Sequence, residues 1–221
     1  MPGDLLPLFP LSHVLLPSMP LPLHIFEPRY RQLVLDIGSA RGLGSFGVVA
    51  LRRGAEVGDA EPDVEQVGTI AEIVELETNE DGTSDLLTVG SRRFRVERLI
   101  PDQAPYLQAE VSFLSDRDPP VPVELESHAR ALMFRYDETL RRVAGRGTGG
   151  ELPDDAGQLS WHLAGRLPLE PPDRQLLLTD ATSTQRLARL VRLMRREGAL
   201  LRLTRTIAVA PSVLRLGAAT N

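Results

Sequence analysis

The pattern of apolar and polar residues changes character about halfway along the chain. Up to residue 118, apolar side chains alternate with polar ones or form short runs rich in β-branched residues, at 45–51, 67–76, 86–99 and 107–114. Such runs are typical of strands, and Asp81-Gly82 between the second and third predicts a hairpin turn. The first half of the chain is therefore predicted to fold as an antiparallel sheet.

Proline dominates the opening of the chain, where seven of the 18 prolines fall within the first 28 residues. A residue that precedes proline is pushed toward extended geometry, and proline cannot donate to a strand ladder. The segment is therefore predicted to form broken edge strands. Leu21, Leu23 and Ile25 alternate and are expected to face the core, with Phe26 packed under a short helix over residues 28–38.

Beyond Pro119 the spacing of apolar residues becomes that of helices. A 3.6-residue pattern spans 125–143 and ends in the glycine-rich stretch 145–153. Three further helices are predicted, with start signals at Asp154 or Asp155, at Pro171 and at Thr182. The second half of the chain is therefore predicted to form a small bundle.

These patterns predict an α+β protein in two parts. Residues 1–118 form a β subdomain with one short helix, residues 119–210 form an α-helical bundle, and residues 211–221 form a C-terminal tail. Residues 1–118 carry 19 acids and 10 arginines, a balance of −9, whereas 119–221 carry 11 acids and 15 arginines, a balance of +4. The two parts therefore differ in electrostatics as well as in structure.

Overall composition narrows the classes of function. The chain has 221 residues, of which 42% are hydrophobic, and a net charge of −5. These values are those of an ordinary globular protein and give no global sign of nucleic-acid binding. The chain has no cysteine, no basic signal-peptide start and no stretch of the ~18 apolar residues that span a membrane. We expect a cytoplasmic protein without membrane contact.

The chain contains no lysine, so all 25 basic residues are arginine. A P-loop ATPase needs a lysine on its phosphates, and a Ser-Lys peptidase needs one as its base. Two glycine patterns, at 42–47 and 145–150, lack the preceding strand and following helix of a dinucleotide site. We predict no catalytic residue, cofactor or metal site, and a hydrolase built around Ser160 and His162 is the least favoured alternative.

The last predicted helix carries a row of arginines, mostly opposite its apolar stripe: Arg186, Arg189, Arg192, Arg195 and Arg196. Basic helices can bind phosphate backbones. No aromatic residues interleave these arginines to stack bases, however, and the ordinary role of charges opposite an apolar face is solvation or pairing with acids. An RNA-associated protein is therefore kept as the alternative function, although the pattern disfavours nucleic acid as a partner.

Six blocks of sequence, taken in order, resemble one family. They are LPLFPLSHVLLPSMPLPLHIFEPRYRQLVLD (6–36), FGVVALRRGAEVG (46–58), VGTIAEIVE (67–75), GSRRFRVERL (90–99), LSWHLAGRLPLEPPDRQLLL (159–178) and RLARLVRLMRREGALL (186–201). Together they resemble the amino-terminal substrate-binding domain of the Lon ATP-dependent protease. The resemblance implies a PUA-like antiparallel β pseudobarrel followed by an α-helical bundle. It also implies a free-standing domain, because the AAA+ motor and Ser-Lys peptidase of Lon both require lysine.

The function that this resemblance implies is noncatalytic recognition of unfolded or apolar polypeptide segments, with a protease or chaperone as a further partner. Capture in an apolar cleft or by strand addition needs no reactive side chain. The cleft between barrel and bundle is one candidate surface. The candidate binding residues are Leu16, Pro17, Met19, Pro20 and Leu21. Pro17, Met19 and Pro20 are expected in an exposed loop, where the flexible methionine suits varied partners.

Overall fold

The computed structural model describes residues 4–38, 44–53, 62–115, 119–145 and 147–204. The chain divides into two compact units, Met1–Ser115 and Asp116–Asn221. The predicted division after residue 118 falls in the segment 116–118, and the predicted tail begins at residue 211. Both therefore lie outside the described residues.

The described part of the first unit contains seven strands and one helix. These are β1 (Asp4–Leu11), β2 (Pro20–Ile25), α1 (Pro28–Gly38), β3 (Ser45–Arg53), β4 (Asp63–Val64), β5 (Val67–Thr78), β6 (Ser84–Ile100) and β7 (Gln108–Phe113). Strands β1, β7, β6, β5 and β3 pair in that order, and β3 also pairs with β1, which closes a five-stranded barrel. All pairings in the barrel are antiparallel except β1 with β3. The predicted α+β class and antiparallel β pseudobarrel are confirmed.

Two apolar clusters lie in the described part of this unit. One gathers residues of the barrel strands around Leu8 and Phe94, and the other includes the face of α1 that carries Tyr30 and Leu33. The residues of these clusters recur at every second position in the strands and about every 3.6 residues in α1. The burial expected from the alternating residues of β2 is confirmed, because Leu21 and Ile25 are buried in the second cluster and Leu23 packs against it.

Phe26 departs from its prediction. Its side chain is 53% exposed, so the expected packing under α1 is wrong. The chain turns into the helix at this point, where the carbonyl of Glu27 accepts the N–H groups of Tyr30 and Arg31 at 3.0 Å each. The Phe26 ring instead stacks on the ring of His24, with ring centroids 6.2 Å apart.

Strand β6 spans 17 residues and serves two parts of the sheet. Its second half pairs with β7 in the barrel. Its first half lies between β2, which pairs with Ser84–Val89, and the part of β5 from Ala71 to Thr78. We call these three paired segments the hairpin sheet. Gly82 has φ of 79° in the turn that joins β5 to β6, which confirms the predicted hairpin at Asp81-Gly82.

The described part of the second unit contains four helices. They are α2 (Val123–Ala144), α3 (Ala156–Arg166), α4 (Pro171–Thr179) and α5 (Ser183–Thr204), and the first three pack against α5. Two predicted caps are confirmed: the Asp155 carboxylate accepts the Gln158 N–H at 2.8 Å, and the Thr182 hydroxyl accepts the Gln185 N–H at 3.2 Å. No helix among the described residues is long and apolar enough to cross a membrane.

Candidate polypeptide-binding surface

Backbone hydrogen bonds hold the proline-rich segment that leads into β2. Its residues from Leu16 to Met19 form a β-turn, in which the Met19 N–H donates to the Leu16 carbonyl at 3.2 Å. Pro17 is the second residue and Ser18, with φ of 64°, the third. The Ser18 N–H donates to the Gly90 carbonyl at 2.7 Å, and the Gly90 N–H donates to the Met19 carbonyl at 2.9 Å. The turn is thus fixed to β6.

The five predicted binding residues do not present one accessible surface. Leu16, Pro17 and Leu21 are buried, Met19 is half-buried against the cluster under α1, and Pro20 is exposed. The expectation that Pro17 lies in an exposed loop is wrong, because the turn folds back onto the sheet. Only Met19 and Pro20 have side chains that a partner could reach, and the binding role of all five residues stays a prediction.

Strand β2 forms one outer edge of the hairpin sheet. The hydrogen bond from Gly90 to Met19 fixes which residues face β6, since backbone groups alternate along an antiparallel pair. The backbone N–H and C=O groups of Leu21, Leu23 and Ile25 point toward β6, as the Met19 carbonyl does. The backbone groups of Pro20, Pro22 and His24 therefore point outward. Because proline has no N–H, this outer edge offers three carbonyl groups but only one backbone donor. It is a poor template for another strand.

The opposite edge of the hairpin sheet consists of Val74–Thr78 in β5. Strand β3 pairs with β5 only as far as Glu72, and within the described part of the first unit only β6 pairs with Val74–Thr78. Sequence reasoning predicted a strand here but missed the edge. Periodicity reveals which residues form a strand, whereas its neighbours depend on register and on the length of the other strands.

Carboxylates are concentrated on the hairpin sheet. An open depression of about 410 Å³ is lined by Glu75, Leu76, Glu77, Asp85, Leu86 and Leu87. Hydrogen bonds from the Thr83 hydroxyl and N–H lower the pKa of Asp81 in the turn. Hydrogen bonds with the side chains of Asn79 and His24 lower the pKa of Asp85. Both carboxylates are therefore charged at neutral pH, and this end of the sheet is negative.

The arginines of α5 are largely engaged within the second unit. Arg186 is fully buried, and its Nε donates to the Ser160 hydroxyl at 2.8 Å. Arg189 donates two hydrogen bonds to the Asp180 carboxylate, both at 2.8 Å. Arg196 donates to a carboxylate oxygen of Asp173 at 2.6 Å. These contacts favour the structural interpretation of the arginine row over the RNA-binding one.

Ser160 is committed to contacts inside the second unit. Its side chain is fully buried, and its hydroxyl donates to the Gly157 carbonyl at 2.6 Å while accepting from Arg186. Burial, followed by the charge of Arg166, lowers the pKa of His162. These contacts place the Ser160 hydroxyl in a structural role and do not support the hydrolase alternative. Within the described ranges, no group of three His, Asp or Glu residues could hold a metal ion.

Comparison with known proteins places the chain among Lon sequences. The family model of the ATP-dependent protease La (LON) substrate-binding domain matches residues 5–196. The Lon protease of Cytophaga hutchinsonii is 27% identical over 215 residues, which cover 92% of this chain and 26% of that protein. Lon protease 2 of Syntrophobacter fumaroxidans is 31% identical over 172 residues, which cover 75% of this chain and 21% of that protein. The chain thus spans about a quarter of the length of these relatives.

Two solved structures have a similar fold. A Lon N-terminal domain protein from Xanthomonas campestris is 32% identical, with a TM-score of 0.66 over 86% of this chain and 98% of that chain. The N-terminal domain of Mycobacterium avium complex Lon protease has a TM-score of 0.60 over 87% of this chain and 98% of that chain. At 15% identity, the second comparison supports the fold alone.

Proposed function

Because the chain belongs to the family of ATP-dependent protease La (LON) substrate-binding domains, we propose that it is a noncatalytic module that binds unfolded or degradation-prone polypeptides. The observation that carries this proposal is the extent of the family match. Residues 5–196 run through both compact units, so the whole domain is matched and not one short motif. Recognition of an extended chain requires backbone and apolar contacts but no reactive side chain.

A further part of the proposal is that the module serves as an adaptor in protein quality control. A bound polypeptide would then be processed by a protease or a chaperone on another chain. The 221 residues contain no lysine, so they hold neither the P-loop lysine of a motor nor the lysine base of a Ser-Lys dyad.

Met19 and Pro20 are the members of the predicted set that we propose as direct contacts. Met19 is half-buried and Pro20 exposed, and the turn before them is fixed to β6. A flexible methionine beside a rigid proline can accommodate apolar side chains of different shapes. Leu16 and Leu21 would contribute by supporting this surface from the core.

Fluorescence anisotropy tests the proposal. The chain is titrated against a labelled polypeptide held unfolded by alkylation of its cysteines, against the native form of that polypeptide, and against single-stranded RNA. Each titration is made at two salt concentrations. We expect saturable binding to the unfolded form only, with modest salt dependence because apolar and backbone contacts dominate.

Saturable binding to RNA alone, lost steeply as salt rises, would overturn the proposal in favour of the RNA-associated alternative. Cleavage of the unfolded polypeptide by the purified chain would contradict its noncatalytic part. In that case Ser160→Ala and His162→Ala must abolish the cleavage without unfolding the chain before either residue is assigned a catalytic role.

A further inference from the structure

The two edges of the hairpin sheet differ in what they offer to an incoming strand. At the β2 edge, Pro20 and Pro22 remove two of the three outward donors. At the β5 edge, no proline is present from Val67 to Thr78. The β5 edge is therefore the one with a complete set of backbone groups.

The register of β5 shows which of its residues face outward. The Asn79 N–H donates to the Thr83 carbonyl at 2.9 Å, so these two residues face each other at the turn. Two residues earlier in β5, Glu77 lies opposite Asp85, and its backbone groups point toward β6 as those of Asn79 do. The intervening Leu76 and Thr78 consequently direct both their N–H and C=O groups away from β6. Their four groups have no backbone partner among the described residues of the first unit.

A register shift between Ile73 and Glu75 separates this edge from the barrel. Val74 is the additional residue at that shift, and its side chain is 44% exposed. The Ile73 N–H donates to the Gly44 carbonyl at 3.2 Å, one residue beyond Ser45 and Glu72, the last described pair of β3 with β5. A bulge bends its strand and can end the pairing with one neighbouring strand. Beyond this shift, β6 is the only described strand of the first unit that pairs with Val74–Thr78.

The two faces of this open edge have different chemistry. Glu75 and Glu77 are exposed on one face, and Asp85 lies opposite Glu77 on the same face. Leu76 points to the other face, where it packs against the same apolar cluster as Ile37 of α1. A strand laid along the edge would alternate its side chains between carboxylates and apolar surface.

We propose that Val74–Thr78 binds an extended polypeptide by strand addition, and that it selects segments in which basic residues alternate with apolar ones. The inference rests on the proposed function and adds to it the place of binding and the chemistry of the bound segment. Backbone hydrogen bonds to Leu76 and Thr78 hold the segment whatever its sequence. Its basic side chains pair with Glu75 and Glu77, while its apolar side chains cover Leu76.

A short peptide that alternates arginine with valine is the probe, and one that alternates glutamate with valine is its control. Thr78→Pro removes an outward N–H without removing a hydrogen bond to β6, so we expect about a tenfold loss of affinity for the arginine peptide. Pro22→Ala at the closed edge is the matched control, and it should leave that affinity unchanged. Thermal unfolding followed by circular dichroism verifies that both variants remain folded.

A charge variant tests the selection separately from the backbone. The double variant Glu75→Gln/Glu77→Gln should weaken binding of the arginine peptide roughly five- to tenfold, since it removes both cross-strand charge pairs. Glu124→Gln/Glu151→Gln, at two exposed acids of the second unit, makes the same change in net charge and should have no effect. An arginine peptide with alternate N-methylated amides should lose binding, which supplies a test without a protein variant.

Equal affinity for the arginine and glutamate peptides would overturn the charge selection. Unchanged affinity of the arginine peptide for both Thr78→Pro and Glu75→Gln/Glu77→Gln would overturn the site. If the chain still bound the unfolded polypeptide in those cases, the proposed function would stand and only the β5 edge would be rejected. Failure of the wild-type chain to bind either the peptides or the unfolded polypeptide would reject the function itself.

Discussion

A single buried arginine organises the contacts of three segments in the second unit. Arg186 on α5 is fully buried, and its guanidinium lies 3.6 Å from the centre of the Trp161 ring. It also donates to the hydroxyls of Ser160 at 2.8 Å and Ser183 at 3.0 Å, and to the Asp180 carbonyl at 3.3 Å. Each of the three guanidinium nitrogens makes one of these hydrogen bonds, whereas the donors of a lysine ammonium all lie on one nitrogen.

We expect Arg186→Lys to destabilise the chain by about 2–4 kcal/mol. The single donor nitrogen of lysine would leave buried hydroxyl and carbonyl groups without a hydrogen bond. Urea unfolding followed by tryptophan fluorescence measures the change, since Trp161 is the one tryptophan of the sequence. Arg192→Lys on the exposed face of the same helix is the control. Equal stability of the two variants would show that Arg186 is not a structural centre.

The ionisation of Asp137 contributes to the stability of the second unit. Partial burial pushes its pKa upward, but hydrogen bonds from the Thr148 N–H and hydroxyl, together with the charges of Arg141 and Arg166, hold the pKa below its ordinary value. Asp137 thereby anchors the glycine-rich loop to α2. A pKa lowered by folding stabilises the folded state above the unfolded value of 3.8, and this contribution is lost as the pH falls.

Asp137→Asn should therefore reduce stability at neutral pH and flatten the loss of stability below about pH 4. Urea midpoints measured from pH 7 down to acid conditions test this expectation. Asp154→Asn is the comparison variant. Asp154 is exposed, and the helix is capped by the next residue, Asp155. A pH profile of Asp137→Asn that parallels the wild type would contradict the role of this carboxylate.

At the scale of elements, the sequence was most informative where local physics decides the structure. The hairpin at Asp81-Gly82, helix α1 and the caps at Asp155 and Thr182 were all predicted because each depends on residues close together in the chain. Closure of the barrel through the parallel pairing of β1 with β3 was not predicted. That pairing joins strands distant in sequence and leaves no periodic signal.

The candidate site was less predictable than the elements. Pro17 is expected in an exposed loop, yet it is buried because the turn folds back onto β6 through Ser18 and Gly90. The open edge at Val74–Thr78 depends on where β3 ends and where the register of β5 shifts. Neither property can be read from the pattern of one strand, since pairing is set by contacts across the sheet.

The contact between the turn and β6 gives a prediction about these two elements. A Cβ added at Gly90 would lie 2.3 Å from the Leu16 carbonyl oxygen, which belongs to the backbone and cannot move alone. We expect Gly90→Ala to destabilise the chain by about 2–4 kcal/mol because the turn must separate from the strand. Gly38→Ala, where a Cβ meets nothing within 4 Å, is the matched control.

Chemical denaturation of the Gly90→Ala and Gly38→Ala variants gives their free energies of unfolding. Hydrogen exchange should also show faster exchange at Ser18 and Met19 in Gly90→Ala, because the Ser18 N–H donates across this contact and the Met19 N–H closes the turn. Stability of Gly90→Ala within error of the wild type would contradict the close packing of turn and strand.

At the scale of the whole molecule, charge is distributed unevenly between the two halves of the sequence. Residues 1–118 have a balance of −9 and residues 119–221 of +4. The positive half nevertheless has Arg186, Arg189 and Arg196 engaged by neighbouring side chains. A simple count of arginines therefore overstates the positive charge available to a nucleic acid.

We expect no saturable binding of single-stranded RNA at physiological salt, because Arg186, Arg189 and Arg196 are engaged by neighbouring side chains. Anisotropy of a labelled oligonucleotide provides the measurement. Saturable binding with a steep salt dependence, lost in Arg192→Ala/Arg195→Ala, would contradict this expectation. Those two arginines are exposed, so the double variant leaves the buried contacts of Arg186 intact.

The most direct test of polypeptide recognition is hydrogen exchange of the full chain, followed residue by residue by NMR, with and without a saturating unfolded polypeptide. Recognition at the hairpin sheet predicts slower exchange of the Leu76 and Thr78 N–H groups on binding, with the α5 amides unchanged. Exchange that remains the same throughout the chain in a large molar excess of unfolded polypeptide would contradict the central claim that this domain recognises unfolded polypeptides.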